Sequence, residues 1–117
     1  MKKKIMITVS VILLLVLCAG GFMGWFFYQM RDMQPMETAK ISNSIVVIKG
    51  KISNMYIVKT RDGFIAFDAG DDPEKIARGC KSLSIDPSSV QAVFLTHSDG
   101  DHVDGLPAFP MARVYLS

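Results

Sequence analysis

The sequence predicts an α/β domain behind one membrane-crossing helix. Three observations lead there. An uncharged apolar run, Ile5 to Tyr28, stands near the start of the 117 residues. Behind it, β-branched and aromatic runs alternate with turn residues and one amphipathic stretch, in the order strand, strand, strand, helix, strand. Last, both histidines of the chain and three aspartates fall within Thr96-His97-Ser98-Asp99-Gly100-Asp101-His102-Val103-Asp104-Gly105, directly after the apolar run Val93-Phe94-Leu95.

Ile5 to Tyr28 spans roughly 36 Å as a helix, enough for a bilayer core of about 30 Å. Trp25 and Tyr28 lie at its far end, where aromatic rings favour the headgroup region. Lys2-Lys3-Lys4 at the near end favours the cytoplasm, which places the rest of the chain outside. The expected order is therefore a cytoplasmic tail over 1–4, a transmembrane signal anchor over 5–28 with the lipid bilayer as its partner, a polar linker over 29–43 and a soluble part over 44–117. The product is then a single-pass protein of the cell membrane. A cleaved signal peptide is the competing reading, because Cys18-Ala19-Gly20 offers small residues for cleavage. The run continues through Trp25-Phe26-Phe27, beyond a typical signal core, which favours the anchor. A lipid-modified Cys18 would need a small residue where Leu17 stands.

Ile45 to Ile48 and Asn54 to Thr60 read as strands with Gly50-Lys51 as a turn between them. Arg61-Asp62-Gly63 supplies a hairpin turn, since Asp-Gly tolerates positive φ, and Phe64 to Asp68 is the returning strand. Asp72 is a helix N-cap with Pro73 at the first helical position. Ile76, Cys80 and Leu83 recur at i, i+4 and i+7 and give one apolar face to pack on the sheet. Val90 to Thr96 is the next strand. The helix between two strands makes a parallel crossover, which puts His97 at a carboxyl end of the sheet, where ligand sites gather. Leu106 to Pro110 reads as a broken helical turn and Met111 to Leu116 as a further strand.

Imidazole and carboxylate crowded onto one loop suit a divalent metal. Residues 97 and 99 share a side if the chain is still extended there, and Gly100 lets the backbone turn so that Asp101 and His102 face a nearby point. A polar Asp/Gly/Ser loop is more often a plain turn, but here the preceding strand and the ligand order agree.

The cluster resembles the signature of the metallo-β-lactamase superfamily, Thr-His-x-His-x-Asp-His-x-Gly-Gly. His97 matches the first ligand, Asp101 and His102 match ligands of a second metal, and Gly105 matches the last glycine. Asp99 stands where the family usually has its second histidine, and Asp104 where it has the first of two glycines. Diiron oxygen-reducing members and competence-protein nuclease-like domains resemble it in carrying carboxylate variants at the second ligand position. The hairpin ending in Asp68-Ala69-Gly70 also resembles the family, whose aspartate there supports the metal loop. The resemblance implies metal ligands His97, Asp99, Asp101 and His102, with Thr96, Asp68 and Gly105 supporting them. It implies two divalent metals in a complete domain, zinc first, iron or manganese as alternatives.

The resemblance covers Ile45 to Ser117 and implies the first half of a four-layer αββα sandwich. The family's remaining ligands come from a second half, and no histidine follows His102. The expectation is an incomplete N-terminal portion of a membrane-anchored metal-dependent hydrolase, with a missing C-terminal half. An inactive fragment or interaction module and a diiron redox member are the alternatives. Without a second sheet, the apolar faces of Ile45 to Ile48 and Val93 to Leu95 are expected to be exposed. Net charge is +2, with no basic stripe interleaved with aromatics, so nucleic acid is not indicated by charge. Cys18 lies in the apolar run and Cys80 on the amphipathic helix, so no disulfide is expected.

Overall fold

The computed structural model describes residues 1–117 as two compact units, Met1–Gln34 and Pro35–Ser117. The first is one helix, α1 (Lys2–Met30). It is long and apolar enough to cross a membrane, and none of its side chains is buried.

The second unit is a six-stranded sheet built from β1 (Ala39–Lys40), β2 (Ile45–Lys49), β3 (Asn54–Lys59), β4 (Phe64–Phe67), β5 (Val90–Leu95) and β6 (Arg113–Leu116), in that spatial order. The first four strands pair antiparallel. β4–β5 and β5–β6 pair parallel. The change of sense comes at the crossover helix α2 (Pro73–Ser82). Asp72 caps this helix by accepting from the amides of Glu74 and Lys75 at 2.9 and 3.1 Å, and Pro73 needs no amide partner at the first position.

Ile76 and Cys80 are fully buried and Leu83 is half-buried, as the helical spacing requires. They join Val46, Ile48, Met55, Ile57, Ala66, Val93 and Leu95 in one core. α2 lies so close to β2 that a Cβ on Gly79 would come 2.7 Å from Ile48 Cγ2. Burial raises the Cys80 thiol to about 11, which makes it a packed hydrophobe rather than a reactive group.

Several expectations change. The helix extends past Ile5 and Tyr28 at both ends, because lysine, methionine and glutamine propagate a helix well whether or not lipid surrounds them. The stretch read as linker holds β1, which pairs with Val46 and Val47. Two residues of alanine and lysine carry no strand signal of their own. The strand expected to run through Asp68 stops at Phe67, because Asp68 turns to φ 60°.

The expected exposure of Ile45 to Ile48 and Val93 to Leu95 is also corrected. Val46, Val47, Ile48, Val93 and Leu95 are buried. α2 and the turns beside it cover one sheet face, and that face takes every second residue, among them Val46, Ile48, Val93 and Leu95; Val47 lies on the other face, beside its strand partners Ala39 and Tyr56. What the opposite face leaves exposed is Ile45, Phe94 and their aromatic neighbours.

Candidate metal centre

The site forms where β4 and β5 end. After β5 the chain bends at Thr96, is extended at Asp99 (φ −70°, ψ 147°), and then makes one short helix, α3 (Gly100–Val103). That turn carries Asp101 and His102 back toward His97. Ligand atoms of His97, Asp101 and His102 lie within 4.8 Å of one another, and the two imidazole centroids are 3.9 Å apart.

Asp68 organises both imidazoles. One carboxylate oxygen accepts from the Thr96 amide and hydroxyl, each at 2.9 Å. The Thr96 hydroxyl oxygen is in turn 2.9 Å from His97 Nδ1. Since that hydroxyl donates to Asp68, its oxygen accepts from His97 Nδ1–H. The other Asp68 oxygen is 2.9 Å from His102 Nδ1, a buried atom with no well-aligned hydrogen bond. With both Nδ1 atoms turned to Asp68, directly or through Thr96, a neutral imidazole at either position keeps its lone pair on Nε2.

Those lone pairs face carboxylates. His102 Nε2 is 3.1 Å from Asp101 Oδ2, and His97 Nε2 is 3.5 Å from Asp99 Oδ2. Lone pair against carboxylate is repulsive unless a proton or a cation stands between them. Two imidazoles and one carboxylate match the three protein ligands of a catalytic zinc, so this donor set fits a divalent ion. Asp68 stands where an outer carboxylate would fix a ligating imidazole. Burial works to raise the Asp68 carboxyl, but the Thr96 amide, His102 and the Thr96 hydroxyl outweigh it and bring the group below its ordinary value.

The loops are locked together. Ala69 N donates to His102 O at 2.8 Å and Gly105 N to Gly70 O at 2.9 Å. A Cβ on Gly105 would fall 1.9 Å from Ala69 O, so this position admits only glycine.

Of the residues singled out in the sequence, His97, Asp101 and His102 come together, with Asp68, Thr96 and Gly105 around them. Asp99 reaches His97 but stays outside the three-residue group, with its side chain 77% exposed. Ser53 was not among the residues that the sequence pattern singled out. From the β2–β3 turn its hydroxyl donates to the Asp101 carbonyl at 2.8 Å, a contact across 48 positions that no local pattern announces.

Residues 48–115, more than half of the chain, match the family model of the metallo-beta-lactamase superfamily. The chain belongs to this superfamily. It is 28% identical over 82 residues to ribonuclease Z of Streptococcus uberis, covering 70% of this chain and 23% of that protein. It is 26% identical over 82 residues to ribonuclease Z of Streptococcus mutans, again over 70% and 23%.

Among solved structures, a metallo-beta-lactamase of Cronobacter sakazakii superposes with TM-score 0.61 at 21% identity, covering 70% of this chain and 32% of that one. A subclass B3 enzyme of Bradyrhizobium japonicum gives 0.59 at 20%, over 70% and 33%. These likenesses show the superfamily's α/β fold. The chain spans under a quarter of the length of the curated relatives it matches and about a third of the solved ones. Superfamily membership also accounts for the donor set, since its members bind divalent metals.

Proposed function

We propose that this chain is the metal-binding N-terminal portion of a membrane-anchored, metal-dependent hydrolase. The observation that carries the proposal is the convergence of His97, Asp101 and His102 within 4.8 Å. His97, Asp101 and His102 would hold a divalent ion, zinc first for a site with two imidazoles, which would lower the pKa of a water and polarise the bond to be cleaved. The chain's own residues do the positioning. Asp68 holds His102 directly and His97 through Thr96, Ser53 steadies the Asp101 backbone, and Gly105 keeps the loops in contact. The names of the relatives denote a ribonuclease and β-lactamases, which share hydrolysis and differ in substrate, so the proposal stays with the reaction class. The share of each relative that is matched supports a catalytic domain completed by further polypeptide.

The anchor rests on α1, on its length and on the three lysines at its start. These support a single-pass topology with Pro35–Ser117 outside the cell membrane.

Metal binding is measured on the full chain in neutral detergent by cobalt(II) visible absorption and by zinc titration. One ion per chain is expected, with tetrahedral d–d bands. His102→Ala and His97→Ala should each weaken binding at least tenfold. Binding left unchanged by both substitutions would overturn the proposal.

A further inference from the structure

A second site lies at the other end of β4 from Asp68. A cavity of about 200 Å³ opens between the sheet and the carboxyl end of α2, floored by Val46, Ile57 and Phe64 and rimmed by Lys40, Ser42 and Lys59. Register fixes the direction of both lysines. Lys40 pairs with Val46, Val46 with Ile57, and Lys59 with Phe64. Cross-strand partners share a face, so both lysines spring from the core-facing side of the sheet.

Neither lysine belongs to any ion pair in the structure. The wall between them is held in place. Ser42 Oγ accepts from the amides of Ser44 and Ile45 at 3.2 and 3.1 Å, and Lys59 N donates to Ser44 O at 2.8 Å. Asn43 and Ser84 bring further polar side chains to the rim.

Two lysines without ion-pair partners at the rim of an apolar floor suit a ligand with a dianionic head and a short hydrocarbon body. Lysine binds phosphate as a point charge, and the apolar floor rewards removal of a few methylenes from water. We propose that this cavity binds a phosphate monoester carrying a short apolar group, either as a free compound or as the head of an anionic lipid. A purely structural role, in which the two stems cover the core and their heads seek water, predicts no such selectivity.

The test uses the full chain in phosphatidylcholine nanodiscs, with a chelator present so that no ion holds phosphate at the His97–His102 cluster. Butyl phosphate is titrated while the methyl resonances of Ile57 and Ile85 are followed by NMR. The expected result is saturable one-to-one perturbation, with butanol and inorganic phosphate each at least tenfold weaker. K40Q/K59Q should weaken butyl phosphate at least tenfold while leaving the rest of the methyl spectrum in place. K59Q alone should give an intermediate loss.

A second arm replaces part of the phosphatidylcholine with phosphatidic acid and adds no soluble ligand. Perturbation of the same methyls there identifies the lipid head as a source. Perturbation by butyl phosphate alone identifies a free compound. Equal binding of butanol or of inorganic phosphate, unchanged binding by K40Q/K59Q, or no shift in either arm would overturn the proposal.

Discussion

At Asp68 the backbone takes φ 60°, a conformation that aspartate tolerates better than most side chains. Its carboxylate then meets an amide, a hydroxyl and an imidazole in place of water. Because the folded state holds this carboxyl below its ordinary 3.8, the unfolded chain binds more protons in acid. The stabilisation from Asp68 is therefore fully present above about pH 4 and is lost as pH falls through the lower folded value. Asp68→Asn removes that dependence. It should cost about 1–3 kcal/mol at neutral pH and lower metal affinity by about 10–100-fold. Amide hydrogen exchange of the sheet strands in the full chain, in neutral detergent at several pH values and with metal titration beside it, reads both effects. Equal acid sensitivity in variant and parent would show that Asp68 is not the group responsible.

At the level of the elements, the two sheet faces have different fates. Alternation sends Val46, Ile48, Met55, Ile57 and Val93 toward α2. On the other face the register sets Tyr56 opposite Phe67, Phe67 opposite Phe94 and Phe94 opposite Tyr115. Phe67 and Phe94 stack at 5.7 Å, and Phe94 and Tyr115 at 5.0 Å. The four rings keep 37%, 41%, 38% and 46% of their surface exposed. A continuous aromatic row of this kind is more apolar than an ordinary solvated face. The Pro35–Ser117 unit prepared alone is therefore expected to bind a hydrophobic dye without denaturant and to melt broadly. Phe94→Lys should reduce the dye signal by half or more. A sharp two-state transition with no dye bound would contradict this.

For the whole molecule, α1 and the sheet unit differ in what they bury. α1 buries none of its apolar side chains within the chain and is long and apolar enough to cross a membrane, a property it shares with signal sequences. The full chain is expected to stay with membranes through carbonate extraction, and Pro35–Ser117 to be digested by protease added outside intact cells. A soluble product lacking the first 20 or so residues would instead identify Ile5 to Tyr28 as a cleaved signal peptide.

Much of this was legible in the sequence because it is encoded between near neighbours. β-Branched and aromatic runs bounded by turn residues pointed to β2 to β5, the Asp72-Pro73 cap and the Ile76–Cys80 spacing to α2, and the uncharged run to α1. The strand-then-His/Asp order placed the metal loop. What remained hidden depends on contacts between distant parts of the chain. Asp68 and Thr96 are 28 positions apart and Ser53 and Asp101 are 48, so no local pattern says that these pairs meet. Four candidate ligands stood in one loop, paired by spacing as His97 with Asp99 and Asp101 with His102. The single turn of α3 drew Asp101 and His102 toward His97, while Asp99, itself extended, was left as the N-cap. Residue type and order thus determined which chemistry the loop offers. The tertiary structure decided which donors share one point, because that choice rests on backbone direction fixed by Asp68, Ala69 and Gly105 from outside the loop's ligand positions.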